Sequence, residues 1–483
     1  MSPVFDEEKY RALLEKLEIF ENPLKCVQQS SSIFRLDSSF FDQKLINLEQ
    51  KVKSMSHFFI ESSNVVSGPF GSMLKSDAYQ ATGIPFIRIE NIKDGFYINN
   101  SDIIYISPED NERIKNSELS QGDIVLSKVG NTIGFFAEVS EDIGICNISE
   151  NNIGIKLTGF TDSKKAIILT YLNTHIAQSL TLRRISGNAQ PKLNVGDVCE
   201  IPIPVFNTEF EKGIEFFLKK SKKNRKDAIN SYLVAEHLLL QELGLTDWQP
   251  DDESVATKTF ADFQTSGRLD AEYYQPKYDE YLAKVKGYSG GVSIVANHFE
   301  QNKTTTTFSL PQYNYIEIGD INIGNGEASF NLVQTEELPA NAKYVIQQCD
   351  ILISKVRPYR GAVSIIDFEP QDVIASGAFT ILRENGAIRK EVLSTLLRTP
   401  LYKDWLLKWN VGSSYPVIKD EDILNLTIPV IKQEIQDQIA AKVQESFALR
   451  KESKRLLDLA KHAVEVAIEQ GEDAAMNLME ENI

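Results

Sequence analysis

Cysteine, tryptophan, methionine and histidine are all scarce in this chain, at 4, 3, 5 and 5 of 483 residues. Cys26, Cys146, Cys199 and Cys349 lie far apart and form no CxxC pair. That excludes a disulfide frame and a cysteine zinc site, and points to reduced thiols in a cytoplasm. His57, His175, His237, His298 and His462 form no HxxxH, HExxH or HxD cluster. No phosphate-cradling GxxxxGKS or GxxxxGKT loop is present, and Gly130–Gly134 lacks the third glycine and following helix of a dinucleotide site. An Asn/Asp-Pro-Pro-Tyr/Phe segment, the usual pocket for methylating an exocyclic amine, is also missing. No apolar stretch approaches the roughly eighteen residues of a membrane span. The start, Met1 to Glu8, is acidic where a secretory signal would be basic. These absences predict a cytoplasmic, non-enzymatic chain with no metal or cofactor of its own and no membrane partner.

Positive charge is the other shortage. With 51 Lys and Arg against 68 Asp and Glu the net charge is -17, so the molecule as a whole repels polyanions. A local basic groove remains open to it, because salt screens charges beyond roughly 10 Å. Acid gathers at Asp247 to Glu253 and at Glu469, Glu472, Asp473, Glu480 and Glu481. A basic partner or a local patch must then supply any phosphate attraction.

What the chain does have is a repeat. Arg35-Leu36-Asp37 followed by Phe40-Phe41 recurs as Arg268-Leu269-Asp270 followed by Tyr273-Tyr274. Gln121 to Val129 recurs as Gln348 to Val356, ending each time in Ser-Lys-Val. Gly187 to Pro191, with Ile201 to Val205 beyond, recurs as Gly412 to Pro416 with Leu426 to Val430. Each copy closes in a long polar helical pattern.

Between these landmarks the chain reads as an N-terminal helix and entry segment (1–55), a strand-rich module (56–206) and a long helix (207–244). A linker and second entry (245–284), a second module (285–431), a second long helix (432–470) and an acidic tail (471–483) follow. Shorter helices are predicted at 6–20, 163–180 and 389–408, and alternation predicts a strand over 84–90. Thr208 and Glu211 suggest a capping box, and Gly244 a C-cap, for the first long helix. At 1.5 Å per residue that helix is a rod of roughly 50 Å whose apolar stripe needs a second helix. The expectation is an α/β (α+β) fold: two similar globular modules separated by a pair of long antiparallel helices in an intramolecular coiled coil, with pseudo-two-fold, circularly permuted symmetry.

Base readout needs side chains carried into a groove, with phosphate contacts to fix register. The first module offers Ser72, Lys75, Arg88, Lys128, Asn131, Arg183, Arg184, Asn188, Gln190 and Lys192. The second offers Lys303, Thr306, Lys355, Arg357, Tyr359, Arg360, Lys403, Lys408, Ser413, Ser414, Tyr415 and Lys419. Lys128 and Lys355 each follow a short apolar strand, as a DNA-facing cation or a solvated strand end. Arg183-Arg184 fits either a phosphate clamp or charge compensation at a helix C-terminus. Arg357-Pro358-Tyr359-Arg360 is the densest cationic turn of the second module. Arg35 and Arg268, each two residues before an aspartate, fit a tie between the module entrance and its helix, with the aromatic pair beneath. The run from Lys219 to Lys226 reads as a solvated helix face or a docking stripe.

In these residues the chain resembles the specificity subunit of type I restriction–modification systems. The resemblance rests on Gly68-Pro69-Phe70-Gly71-Ser72, Gln121-Gly122-Asp123-Ile124 with Lys128, and Ile185 to Pro191 with Ile201-Pro202-Ile203-Pro204. Arg268-Leu269-Asp270-Ala271-Glu272-Tyr273-Tyr274 precedes the second module, and the likeness covers about 30–470. The second module departs from it, with Asn302-Lys303 and Thr304–Thr307 in place of a Gly-Pro-Phe-Gly opening. The resemblance implies two target recognition domains, each reading one half of a bipartite, asymmetric site on double-stranded DNA. The helices would act as a ruler, at about 3.4 Å per base pair, and as the dock for two adenine-N6 methyltransferase subunits carrying S-adenosylmethionine. A restriction subunit using ATP and Mg is a further implied partner. A protein-binding scaffold of a phage-defence complex, without base readout, is the alternative.

Overall fold

The computed structural model describes residues 35, 37–71, 73–92, 95–100, 102–130, 132–187, 191–251, 255–412 and 415–482. The helix predicted at 6–20 lies outside them. The chain divides into two units, one of residues up to Ser221 together with those from Lys454 onward, the other Lys222–Ser453. Among the described residues, early and late parts of the chain both contribute to the first unit, in keeping with a circularly permuted repeat.

In the first unit the β-branched runs form β1 (His57–Phe58), β2 (Val65–Ser67), β3 (Ile84–Ile87), β4 (Phe96–Tyr97) and β5 (Ile104–Ile106). They continue as β6 (Ile124–Ser127), β7 (Phe136–Glu138), β8 (Asn147–Ile148), β9 (Asn152–Ile155) and β10 (Ile203–Pro204). One sheet has the order β2-β9-β6-β7-β4, a second β5-β3-β8, and β1 pairs with β10 where the module begins and ends. All four residues of β6 are buried, as its unbroken apolar run requires for a strand covered on both faces. Around the sheets lie α1 (Gln43–Ser54), α2 (Pro108–Arg113), α3 (Asp162–Leu172), α4 (His175–Arg183) and α5 (Val195–Cys199).

The predicted strand over 84–90 stops at Ile87. There the Arg88 N–H donates to Asn91 Oδ1 (2.9 Å) and the chain tightens into a 3-10 turn. The helix predicted at 163–180 is two helices. Thr174 caps the second through its side chain, and the Asn173 amide donates to Phe136 O (2.8 Å) and Leu169 O (3.0 Å).

The first long helix, α6, spans Thr208–Glu242. Its cap is Asn207, whose Oδ1 accepts from Phe210 N (2.8 Å), and not the predicted Thr208. Glu211 is drawn away to Lys164 at 2.7 Å instead of closing a capping box. Gly244 does end the helix, with Leu245 N–H reaching back to Leu240 O (2.8 Å).

In the second unit α7 (Phe260–Ser266) and α8 (Pro276–Lys286) lead into β11 (Val292–Ile294), β12 (Phe299–Gln301), β13 (Gln312–Ile316), β14 (Asn331–Gln334) and β15 (Ala342–Val345). There follow β16 (Ile351–Ser354), β17 (Val363–Ile365), β18 (Val373–Ser376), β19 (Phe379–Glu384) and β20 (Thr427–Pro429). The sheets run β12-β19-β16-β17 and β14-β13-β18-β15, with β11 paired to β20. The first unit's pattern returns: β16 sits between β17 and β19 as β6 sits between β7 and β9, and β13 runs parallel to β18 as β3 does to β8. The helix predicted at 389–408 is broken into α9 (Lys390–Arg398) and α10 (Pro400–Trp405), because Pro400 cannot continue a helix. Beyond α11 (Asp420–Leu424) come the second long helix, α12 (Gln433–Gln470), and α13 (Glu472–Glu480).

Within each unit parts of α6 and α12 share a core. In the first, Phe210, Ile214, Phe217 and Leu218 join Leu456 and the small Ala460, Ala463 and Ala467. In the second, Ser446 Oγ donates to Ala228 O (2.7 Å) and Ser231 Oγ to Lys442 O (3.0 Å). One helix ascends as the other descends, so the segments are antiparallel, as expected. The acidic tail expected from 471 is the helix α13, with Ala475 and Met479 buried in the first unit's core.

Candidate nucleic-acid interface

Each module ends a buried central strand in a lysine and clasps that lysine's backbone from two sides. In the first, Lys128 N–H donates to Asn151 O (2.8 Å) and Lys128 O accepts from Leu193 N (3.0 Å). In the second, Lys355 N–H donates to Ala378 O (2.9 Å) and Lys355 O accepts from Ile418 N (3.0 Å). The next residue, Val129 or Val356, bridges Lys192 or Val417, which in turn bridges Ser186 or Val411. Both returning loops turn on a glycine in the left-handed region, Gly187 at φ 95° and Gly412 at φ 105°, where a side chain would be strained. The repeated motifs thus converge in space, one clasp per module.

The side chains on the two clasps differ. Lys128 is half-buried, its Nζ donating to Ser67 Oγ (3.2 Å) and reaching Glu150 O at 3.5 Å. Burial, with Lys192 adding repulsion, pushes its ammonium down from the usual lysine range. Lys355 is paired with Asp420 Oδ1 at 3.0 Å and its side chain is only 16% exposed. Burial works to raise the Asp420 carboxyl, yet Thr380 and Lys355 hold it below the ordinary range. The expected free strand-end cation is therefore a neutralised pair at Lys355.

Arg183 and Arg184 are corrected more sharply. They are 5% and 3% exposed and share Glu49 of α1, Arg183 Nη1 on Oε2 and Arg184 Nη2 on Oε1 (2.7 Å). Neither is available to clamp a phosphate. Their partner is 134 and 135 residues away in sequence, so no local signal announces it. Lys408 is also turned inward, its ammonium 5.2 Å from the Tyr273 ring and 3.9 Å from Asp279, and burial lowers its pKa. Lys403 is half-buried with its stem against Gly361. Arg88 is half-buried and paired with Glu90 at 2.8 Å. Thr306 ties its own loop, accepting from Phe308 N (3.2 Å).

Lys75, Lys192, Lys303, Arg360 and Lys419 are exposed, and none has an ion-pair partner among the described residues. Tyr359 and Tyr415 are 42% and 57% exposed, and the Arg357 guanidinium lies 4.3 Å above the Tyr415 ring. Ser72, Asn131, Asn188, Gln190, Ser413 and Ser414 lie outside the described residues. Sequence reading missed Phe70, which is 80% exposed at the opening of the first module beside Gly71, whose N–H donates to Glu150 Oε2 (2.6 Å). Its place in the Gly-Pro-Phe-Gly motif was the available signal.

Arg35 and Arg268 anchor the entrances as expected. Arg35 grips Asp37 through two bonds of 2.8 Å and donates to the carbonyls of Arg184 (2.8 Å) and Ile185 (2.9 Å). Arg268 grips Asp270 through two bonds of 2.6 Å and donates to Trp409 O (3.3 Å) and Asn410 O (2.8 Å). Each tie holds the segment that leads into the clasp loop. Among the described residues no group of three His, Cys, Asp or Glu side chains is placed to hold a metal, and no helix is long and apolar enough to cross a membrane.

No known family model and no curated protein sequence matches the chain. Among solved structures it is similar to the S subunit of a type I restriction–modification system from M. genitalium, at 11% identity and TM-score 0.34, over 88% of this chain and 96% of that one. It is also similar to the HsdS subunit from Thermoanaerobacter tengcongensis, at 13% identity and TM-score 0.25, over 87% and 96% of the two chains. A chain from a study of complex assembly and conformational transition of the type I R-M system matches at 13% identity and TM-score 0.25, over 79% and 91%.

Proposed function

We propose that the chain is the non-catalytic specificity subunit of a type I restriction–modification complex. Each module reads one half of a bipartite, asymmetric DNA target, and the long helices dock two adenine-N6 methyltransferase subunits. Those subunits bring S-adenosylmethionine and the methylation chemistry; a restriction subunit, with ATP and Mg, is a further partner. The observation that carries this reading is the repeated clasp. One backbone frame occurs twice, with Gly130 and Lys192 on the first copy and Arg357 and Val417 on the second. A shared frame with unlike side chains suits two half-sites of unlike sequence. The exposed cations around the clasps supply phosphate contacts that fix register. On α6, Ile229, Leu233 and Val234 are 43%, 53% and 45% exposed, an apolar face suited to a docked subunit.

The test is co-expression with an adenine-N6 methyltransferase from the same source, followed by mapping of methylated adenines across the host genome. Methylation at a bipartite motif only when both chains are present is the expected result. Methylation indifferent to this chain would reject the specificity role and favour the scaffold.

A further inference from the structure

Arg357 stands where the backbone asks for glycine. In the repeat frame it is the second residue after the clasped lysine, the place held by Gly130 in the first module. Both adopt the left-handed conformation, Gly130 at φ 84° and Arg357 at φ 49°. A glycine would therefore satisfy the turn without strain, and the strained arginine must be kept for its side chain. Its backbone is fixed, because Arg357 N–H donates to Pro416 O at 2.8 Å. The guanidinium lies 4.3 Å above the ring of Tyr415. That contact places the guanidinium against the aromatic ring. Among the described residues no side-chain hydrogen bond or ion pair uses its N–H donors, whereas neighbouring Lys355 is spent on Asp420.

A planar fork of donors, held against an aromatic ring on a left-handed turn, matches the O6 and N7 acceptors of guanine in the major groove. A phosphate needs no such plane, and exposed Arg360 and Lys419 already stand ready for phosphates. We propose, on the strength of the DNA-reading function above, that Arg357 specifies one guanine of the second half-site and that Tyr415 orients it for that contact. The first module, with Gly130 at the matching place, has no counterpart to this contact.

The test uses the full chain in complex with its methyltransferase and selects bound duplexes from a library randomised across both half-sites and the spacer. Arg357→Gly supplies the residue that the turn prefers, and Arg357→Lys keeps the charge without the bidentate fork. Both variants are expected to lose guanine preference at one position of one half-site by about tenfold or more, with the other half-site unchanged. The thermal midpoint of Arg357→Gly should be equal to or above that of the parent. Retention of every base preference by both variants, or loss at a base other than guanine, overturns the assignment and leaves DNA reading intact. A lowered midpoint with both half-sites blurred assigns Arg357 a structural role and also overturns it. A parent complex that selects no sequence at all rejects the underlying function instead.

Discussion

Phe40 lies between two guanidinium groups, Arg35 at 4.5 Å and Arg183 at 4.4 Å from its ring centre. Half of that arrangement is legible in the sequence, because Arg35 and Asp37 are two residues apart and the same spacing returns at Arg268 and Asp270. The other half depends on Glu49, brought in by α1, and a distant ion pair leaves no local trace. Arg35 holds the Asp37 carboxyl at about 2, well below its usual 3.8. Because the folded value is the lower one, the stabilisation is complete above pH 3.8 and is lost as pH falls through about 2. Asp37→Asn should therefore flatten the acid limb of a urea-midpoint profile; an unchanged limb would show that the pair contributes nothing. At the clasps, Arg360→Ala should lower the salt slope of DNA binding by about one. Lys355→Ala should leave that slope nearly unchanged and instead cost about 1–3 kcal/mol of stability by stranding half-buried Asp420, measured by urea unfolding. The reverse pattern would restore Lys355 as the phosphate contact.

At the scale of elements, long helices were readable because a one-sided apolar stripe persists over many turns. Their ends and interruptions were less so. Pro400 is a visible breaker, yet nothing in the apolar pattern around Tyr171, Leu172 and Ile176 marks the break at Asn173–Thr174, which side-chain hydrogen bonds impose. Thr208 looked the better cap because Glu211 stands three residues on, but Lys164 claims that glutamate. The last element shows the limit of reading by composition. Acidic residues suggested a tail at 471–483, whereas Ala475 and Met479 place α13 in the first unit's core. Met479 is 2% exposed, so Met479→Ala should cost about 2–5 kcal/mol. Calorimetry should register that loss in the first unit's transition; an unaltered transition would mean that α13 only rests on the surface.

For the whole molecule, a charge of -17 and a DNA-reading role are compatible if a local patch or a basic partner supplies the phosphate attraction. The repeat was the most legible feature of all, since its motifs keep their order and return as matching sheets. Any target of the proposed reading was not legible, because it would depend on which side chains the clasp loops present. The central claim is that the modules are independent readers. Each is bounded by a strand pair that joins its entry to its exit, His57 with Pro204 and Val292 with Pro429. The most direct test replaces residues 292–429 with a second copy of 57–204 and maps methylated adenines in the host genome with the methyltransferase present. The account predicts a new target in which the first half-site occurs twice. A target that still contains the original second half-site would contradict it.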